Sequence, residues 1–258
     1  MKLDNIDYHI WDSCNLNCVS CNHFAPLCVE PNQITLEQAR MDFESLKRFE
    51  CRFNKLTILG GEACLNPDLV DIIRLAVEYF PGKVKLITNG TIVAPLYELK
   101  QAGLDTVIEL VITEYPFMKD FRTYYDNLKS QFPDAIFYTF RHEHGFIADH
   151  LSYQPTGASN NLLLHCEKRF KCVQFIAGKL YICHYAGFLD SLNSITNPGF
   201  TNKDACIDWD CNEEQFNEFF ETHIPEICRH CKFVLLPYEQ LNKKPWSKSK
   251  KDPNEWID

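Results

Sequence analysis

The sequence predicts an α/β fold: a partial (β/α)6 barrel of the TIM type, followed by a small cysteine-rich C-terminal domain. Short β-branched runs alternate with amphipathic helical segments from residue 5 to about 142, which is typical of βα units on a parallel sheet. That stretch is too short for a closed eight-fold barrel, which takes about 250 residues. The alternation then stops and seven cysteines follow, so we place a domain boundary between 1–142 and 143–258.

Five strands and the four helices between them can be placed in the first region. β-Branched and apolar residues predict strands at 6–11, 56–59, 84–88, 107–113 and 135–140. Thr35 and Gln38 form a capping box for a helix to about residue 49. Asn66 before Pro67 opens a second helix, which ends before Pro81. Two more helices are predicted at 96–102 and 118–132.

The second region has a different pattern. Residues 141–161 are rich in His, Gly and Ser and predict a linker or a substrate-facing loop. A hairpin is predicted at 173–182 around Ala177 and Gly178, and a helix at 213–222. The last sixteen or so residues look irregular. Their lysines predict a solvated tail, with a surface for an acidic partner or nucleic acid as the alternative. These lysines, which flank Trp246, are Lys243, Lys244, Lys248, Lys250 and Lys251.

Composition excludes several classes of protein. With 45% hydrophobic and 24% charged residues, the chain is expected to be globular. It contains no run of 18 apolar residues, so no membrane-spanning helix is predicted. The net charge of −9 argues against broad binding to nucleic acid. The first residues do not resemble a signal peptide, so we expect a cytoplasmic protein whose thirteen cysteines are thiols rather than disulfides.

Two short motifs follow the first two predicted strands. Cys14, Cys18 and Cys21 form a CxxxCxxC loop, which can hold three irons of a four-iron cluster and leave the fourth iron open to a ligand. A zinc knuckle with His23 as fourth ligand is the alternative. The second motif, 60–62, is Gly-Gly-Glu, which alone would be a turn followed by a solvated carboxylate. Because a zinc site leaves the second motif unexplained, we favour the cluster.

The two motifs together resemble those of the radical S-adenosylmethionine (SAM) superfamily. The resemblance implies that a [4Fe–4S] cluster on Cys14, Cys18 and Cys21 binds SAM and cleaves it reductively to a 5′-deoxyadenosyl radical. It also implies that the backbone of Gly60 and Gly61 and the carboxylate of Glu62 hold the methionyl ammonium of SAM.

Three polar residues at the ends of later strands are implied contacts of the ribose or carboxylate of SAM. A capped turn after a strand explains them equally well. These residues are Thr88, Asn89 and Thr113. In a parallel sheet the carboxyl ends of the strands meet at one edge, which supports one shared site.

The later cysteines resemble the twitch or SPASM-type extension of radical SAM enzymes. That resemblance implies one auxiliary [4Fe–4S] cluster, which four thiolates would close completely. The favoured ligands are Cys166, Cys183, Cys228 and Cys231, with Cys172 as a substitute for one of them. A structural zinc site on the same four thiolates is the alternative. Cys206 and Cys211 have no place in a single auxiliary site.

These resemblances imply a radical SAM oxidoreductase or epimerase that acts on a polar, hydroxylated small molecule, such as a sugar, an aminocyclitol or a nucleotide-linked sugar. Electrons would come from an external donor such as flavodoxin or ferredoxin. No side chain is assigned a catalytic role, and the substrate cannot be named from sequence. Two alternatives remain: a maturase of a ribosomally made peptide, and a non-catalytic scaffold that binds iron–sulfur or zinc.

Overall fold

The computed structural model describes residues 1–141, 146–147, 150–196, 200–235 and 243–257, which form two compact units. The βα unit consists of Asp7–Asn15 and Glu30–Glu143. The cysteine-rich unit consists of Met1–Ile6, Leu16–Val29 and His144–Asp258. Leu16–Val29 therefore counts with the second unit although it precedes the predicted boundary near residue 142. Among the described residues, no helix is both long and apolar enough to cross a bilayer.

The βα unit alternates strands and helices as the sequence predicts. Its strands are β1 (Leu3–His9), β2 (Phe53–Leu59), β3 (Val84–Thr88), β4 (Glu109–Glu114) and β5 (Ile136–Arg141). Its helices are α1 (Leu36–Lys47), α2 (Leu69–Tyr79), α3 (Ala94–Gln101) and α4 (Phe121–Ser130). Strands β2 to β5 pair in sequence order and in parallel, with β1 beside β2. The first residues of β1 count with the other unit. The prediction of a mixed α/β fold with a mainly parallel sheet is confirmed.

Local signals place the first two helices. Thr35 Oγ1 accepts a hydrogen bond from Gln38 N at 3.2 Å, so α1 begins where its cap predicts. Helix α2 begins at Leu69, later than predicted, because Asn66 forms a turn before it and accepts from Asp68 N at 2.8 Å. The Asn66 amide also donates to Ile10 O and Ile34 O at 2.7 and 2.9 Å, which joins this turn to the segment after β1.

The cysteine-rich unit consists of short elements. Its strands are β6 (Phe146–Ile147), β7 (Val173–Ile176), β8 (Lys179–Tyr181), β9 (Cys206–Asp208) and β10 (Lys243–Lys244). Its helices are α5 (Asn160–Leu164), α6 (Lys168–Lys171), α7 (His184–Gly187), α8 (Leu189–Asn193), α9 (Glu213–Glu221) and α10 (Glu226–Arg229). Strands β7 and β8 form the predicted hairpin, with Ala177 and Gly178 at positive φ in its turn. Part of the predicted linker, at 142–145 and 148–149, lies outside the described residues.

The prediction of a solvated C-terminal tail is wrong for residues 246–257. Trp256 and Ile257 are fully buried, and the backbone of this segment pairs with residues 17–19. The lysines at 248, 250 and 251 are nevertheless exposed. The sequence concealed this packing because two backbone pairs and one large aromatic side chain leave no periodic pattern.

Candidate functional site

Glu62 joins the ends of two neighbouring strands in the βα unit. It follows β2, is 2% exposed, and accepts hydrogen bonds through both oxygens. Oε1 accepts from Thr88 Oγ1 at 2.5 Å and from Cys64 N at 2.9 Å, and Oε2 accepts from Asn89 N at 2.8 Å. Burial raises the pKa of the Glu62 carboxyl, and these hydrogen bonds partly offset that rise. Three of the residues predicted to bind SAM thus meet at one point.

The two glycines of the motif allow a close approach of two backbone segments. A Cβ on Gly60 would lie 2.5 Å from Trp11 O, and one on Gly61 would lie 2.4 Å from Ser13 O. Gly61 N donates to Trp11 O at 2.7 Å, and Glu62 N donates to Ser13 O at 2.9 Å. A side chain at Gly60 or Gly61 would therefore displace residues 11–13, which lead into Cys14. Gly60 and Gly61 therefore position the start of the cysteine loop.

The first cysteine of the loop faces the end of β3. Asn89 Nδ2 lies 3.8 Å from Cys14 Sγ and donates to Asn15 Oδ1 at 3.0 Å. Asn15 in turn donates to Thr91 Oγ1 at 2.8 Å. Thr113 lies on β4 and is 8% exposed, and among the described residues it takes no part in this hydrogen-bond network. Sequence reasoning missed Tyr125, whose hydroxyl donates to Asn89 O at 2.7 Å.

The other two cysteines of the loop lie in the cysteine-rich unit. Trp246 Nε1 donates to Cys18 Sγ at 3.2 Å. Burial raises the pKa of Cys21, whereas backbone N–H groups of residues 23–25 act to lower it. Asn17 and Ser20 are left-handed, which turns the loop between its cysteines. All three sulfurs of the motif therefore have N–H groups close by, which fits cysteines that serve as thiolate ligands.

The four favoured auxiliary cysteines surround one cavity of about 30 Å³. The cavity lining includes Cys166, Cys183, Cys228 and Cys231, and it does not include Cys172. Burial raises the pKa of Cys228 and of Cys231 to about 12. Nearby positive charge or a bound metal is what turns such thiols into thiolates. Across the described residues, no three His, Cys, Asp or Glu side chains converge on one point tightly enough for a single ion.

A buried arginine lines the same cavity. Arg169, on α6, is 1% exposed. Its Nη2 donates to the carbonyls of Phe219, Phe220 and His223 at 2.8–3.1 Å. Its Nε and Nη1 have no hydrogen-bond partner among the described residues. Because buried N–H donors without an acceptor are costly, Nε and Nη1 fit a cavity that holds an anionic group such as a thiolate-ligated cluster.

The sequence comparisons agree on one region. Residues 8–109 match the model of the radical SAM superfamily. The probable GTP 3',8-cyclase of Thermoplasma volcanium is 35% identical over 99 residues, which is 37% of this chain and 28% of that protein. The AdoMet-dependent heme synthase of Methanosarcina barkeri is 29% identical over 102 residues, 38% of this chain and 28% of that protein. The chain thus spans less than a third of the length of these relatives.

Solved structures of BtrN are similar over almost the whole chain. The complex of BtrN with AdoMet and 2-DOIA has a TM-score of 0.58 and 16% identity, and the match covers 94% of this chain and 98% of BtrN. The open conformation of BtrN gives a TM-score of 0.53 and 14% identity, over 90% and 93% of the two chains. At such identities the likeness shows the fold alone.

Proposed function

We propose that this chain is a radical SAM enzyme with a second, auxiliary iron–sulfur site, because residues 8–109 match the model of the radical SAM superfamily. In this proposal Cys14, Cys18 and Cys21 hold the [4Fe–4S] cluster that binds SAM. When bound, the cluster would supply one electron to SAM and so yield methionine and a 5′-deoxyadenosyl radical, which would remove a hydrogen atom from an unactivated C–H bond. The reducing conditions that free thiols need favour a cytoplasmic location.

One observation carries the proposal of an auxiliary site: four cysteines from three separate segments line a single cavity together with Arg169. Residues 166–169 supply one cysteine and the cation, Cys183 follows β8, and Cys228 and Cys231 lie on and after α10. Four half-buried thiols have no packing reason to meet beside a buried guanidinium. A four-iron cluster on four thiolates carries negative charge, so it would pair with that cation.

In this proposal, Glu62 and its hydrogen-bond partners position SAM and the loops beside it. The carboxylate is already held by three donors and can accept more, since an ionised carboxylate offers about four acceptor sites. We propose that Glu62 fixes the loops after β2 and β3 and also faces the methionyl ammonium of SAM. Asn89 would hold Cys14 in place, and Thr113, on β4, stays a proposed contact of SAM.

For the reaction we propose oxidation of a polar, hydroxylated small molecule. The substrate would lose a hydrogen atom to the 5′-deoxyadenosyl radical and a proton to water, and its second electron would pass to the auxiliary site. Support comes from the likeness of fold to BtrN, whose complex holds AdoMet and 2-DOIA. Epimerisation needs no electron acceptor and is the second candidate. The similarity to GTP 3',8-cyclases favours a nucleotide substrate as another alternative.

Metal analysis of the anaerobically prepared protein tests the auxiliary site. We expect about eight irons in the wild type and about four after Cys228→Ala with Cys231→Ala, with SAM cleavage to 5′-deoxyadenosine retained. The matched control is Cys206→Ala with Cys211→Ala, which should keep about eight irons because neither residue lines the cavity. If the wild type contains zinc and only about four irons, the second site is a structural zinc site and not an auxiliary cluster.

A further inference from the structure

Residues 246–257, the C-terminal segment, contain two tryptophans. Both donate their indole N–H to the cysteine loop of residues 14–21. Trp246 Nε1 donates to Cys18 Sγ at 3.2 Å, and Trp256 Nε1 donates to Cys21 O at 2.8 Å. The donor to Cys18 is a side chain 228 positions further along the chain. The sulfur of Cys14 has a donor from another element, the Asn89 amide.

Backbone pairing of the residues that follow Trp246 holds it beside Cys18. Val19 N donates to Ser247 O at 2.9 Å, and Ser249 N donates to Asn17 O at 2.8 Å. Lys248, between these two bonds, forms an antiparallel bridge with Cys18. Ser20 Oγ also donates to Glu255 O at 2.8 Å. The indole is therefore held beside the sulfur by the segment on its C-terminal side, so the contact does not depend on the Trp246 rotamer alone.

We propose that Trp246 is a positioning residue that raises the reduction potential of the cluster on Cys14, Cys18 and Cys21. This inference rests on the proposed function. An N–H group that donates to a thiolate draws negative charge from the sulfur. It thereby favours the reduced cluster, which carries one more negative charge. Hydrogen bonds to the sulfurs are among the factors that set the potential of such clusters.

The test is an EPR-monitored redox titration of the reconstituted full chain with Trp246→Phe, which removes the N–H and keeps an aromatic ring. The signal that changes on addition of SAM identifies the cluster in question. We expect its reduction potential to fall by up to about 59 mV. A fall of that size corresponds to a tenfold smaller ratio of reduced to oxidised cluster at a fixed potential. Trp209→Phe is the matched control and should leave the potential unchanged. An unchanged potential in Trp246→Phe with full iron content would overturn the inference.

If Trp246→Phe fails to bind iron, a second measurement, on wild-type protein, tests the inference. Wild-type protein labelled with ¹⁵N at the tryptophan indoles should show a ¹⁵N coupling to the reduced cluster in pulsed EPR, and Trp209→Phe should keep it. Absence of that coupling would overturn the inference. The failure of the proposed function itself is recognised differently, since a Cys14, Cys18 and Cys21 to Ala variant would then retain all its iron.

Discussion

At the scale of single residues, Glu62 has a structural task in addition to any contact with SAM. Its carboxylate pairs three buried donors, from Thr88, Asn89 and Cys64. Glu62→Ala leaves those donors unpaired, and each buried unsatisfied group costs about 1–3 kcal/mol. We therefore expect lower thermal stability in SAM-free protein as well as weaker SAM binding by calorimetry. Thr88→Val, which removes one donor, should destabilise less. Unchanged stability of SAM-free Glu62→Ala would contradict the structural task.

The second prediction at this scale concerns Arg169, whose buried donors indicate that the cavity holds an anionic group. Its Nε and Nη1, which have no partner within the described part of the chain, would donate to an anionic cluster, and such charge-assisted bonds contribute about 1.5–3 kcal/mol. We expect Arg169→Gln to release auxiliary iron to a chelator about tenfold faster or more, as followed by absorbance. Lys171→Gln, two positions on and exposed, is the control and should release iron like the wild type. If both variants released iron at the same rate, Arg169 would not contact the auxiliary cluster.

At the scale of elements, the C-terminal segment is part of the scaffold of the cysteine loop. Ending the chain after Pro245 removes the backbone pairs to residues 17–19 and the buried Trp256. Loss of a buried tryptophan side chain alone costs about 3–5 kcal/mol. We expect the truncated protein to lose about four irons and its cleavage of SAM. Lys250→Gln with Lys251→Gln is the control for charge, and it should keep both. A truncated protein with about eight irons would contradict the scaffold.

Local signals predicted the elements well and the long-range packing poorly. Strand β3, the hairpin turn at Ala177 and Gly178, and the cap of α1 follow from residues next to one another. The four auxiliary cysteines could be grouped from spacing and resemblance. Trp246 and Arg169 could not, because their partners lie 228 and about 50 positions away and no local rule pairs them. The one available signal was a pair of tryptophans in a lysine-rich tail.

At the scale of the whole molecule, the two proposed ligand sets share no cysteine, so their iron contents should add. We expect about four irons after Cys14, Cys18 and Cys21 are changed to Ala, with SAM cleavage abolished, because the remaining cluster is closed by four thiolates. Adding Cys228→Ala and Cys231→Ala should reduce the content to nearly zero. Iron analysis with Mössbauer spectroscopy of the variants measures this.

The combined variant makes additivity a sharp test, since sites without shared partners are expected to behave independently. If cysteines outside the proposed sets, such as Cys172, replaced a missing ligand, the double-site variant would retain substantial iron. Cys172→Ala in the otherwise wild-type chain is the matched control, and it should keep about eight irons because Cys172 is not among the residues that line the cavity. Loss of about four irons in Cys172→Ala alone would move that cysteine into the auxiliary set.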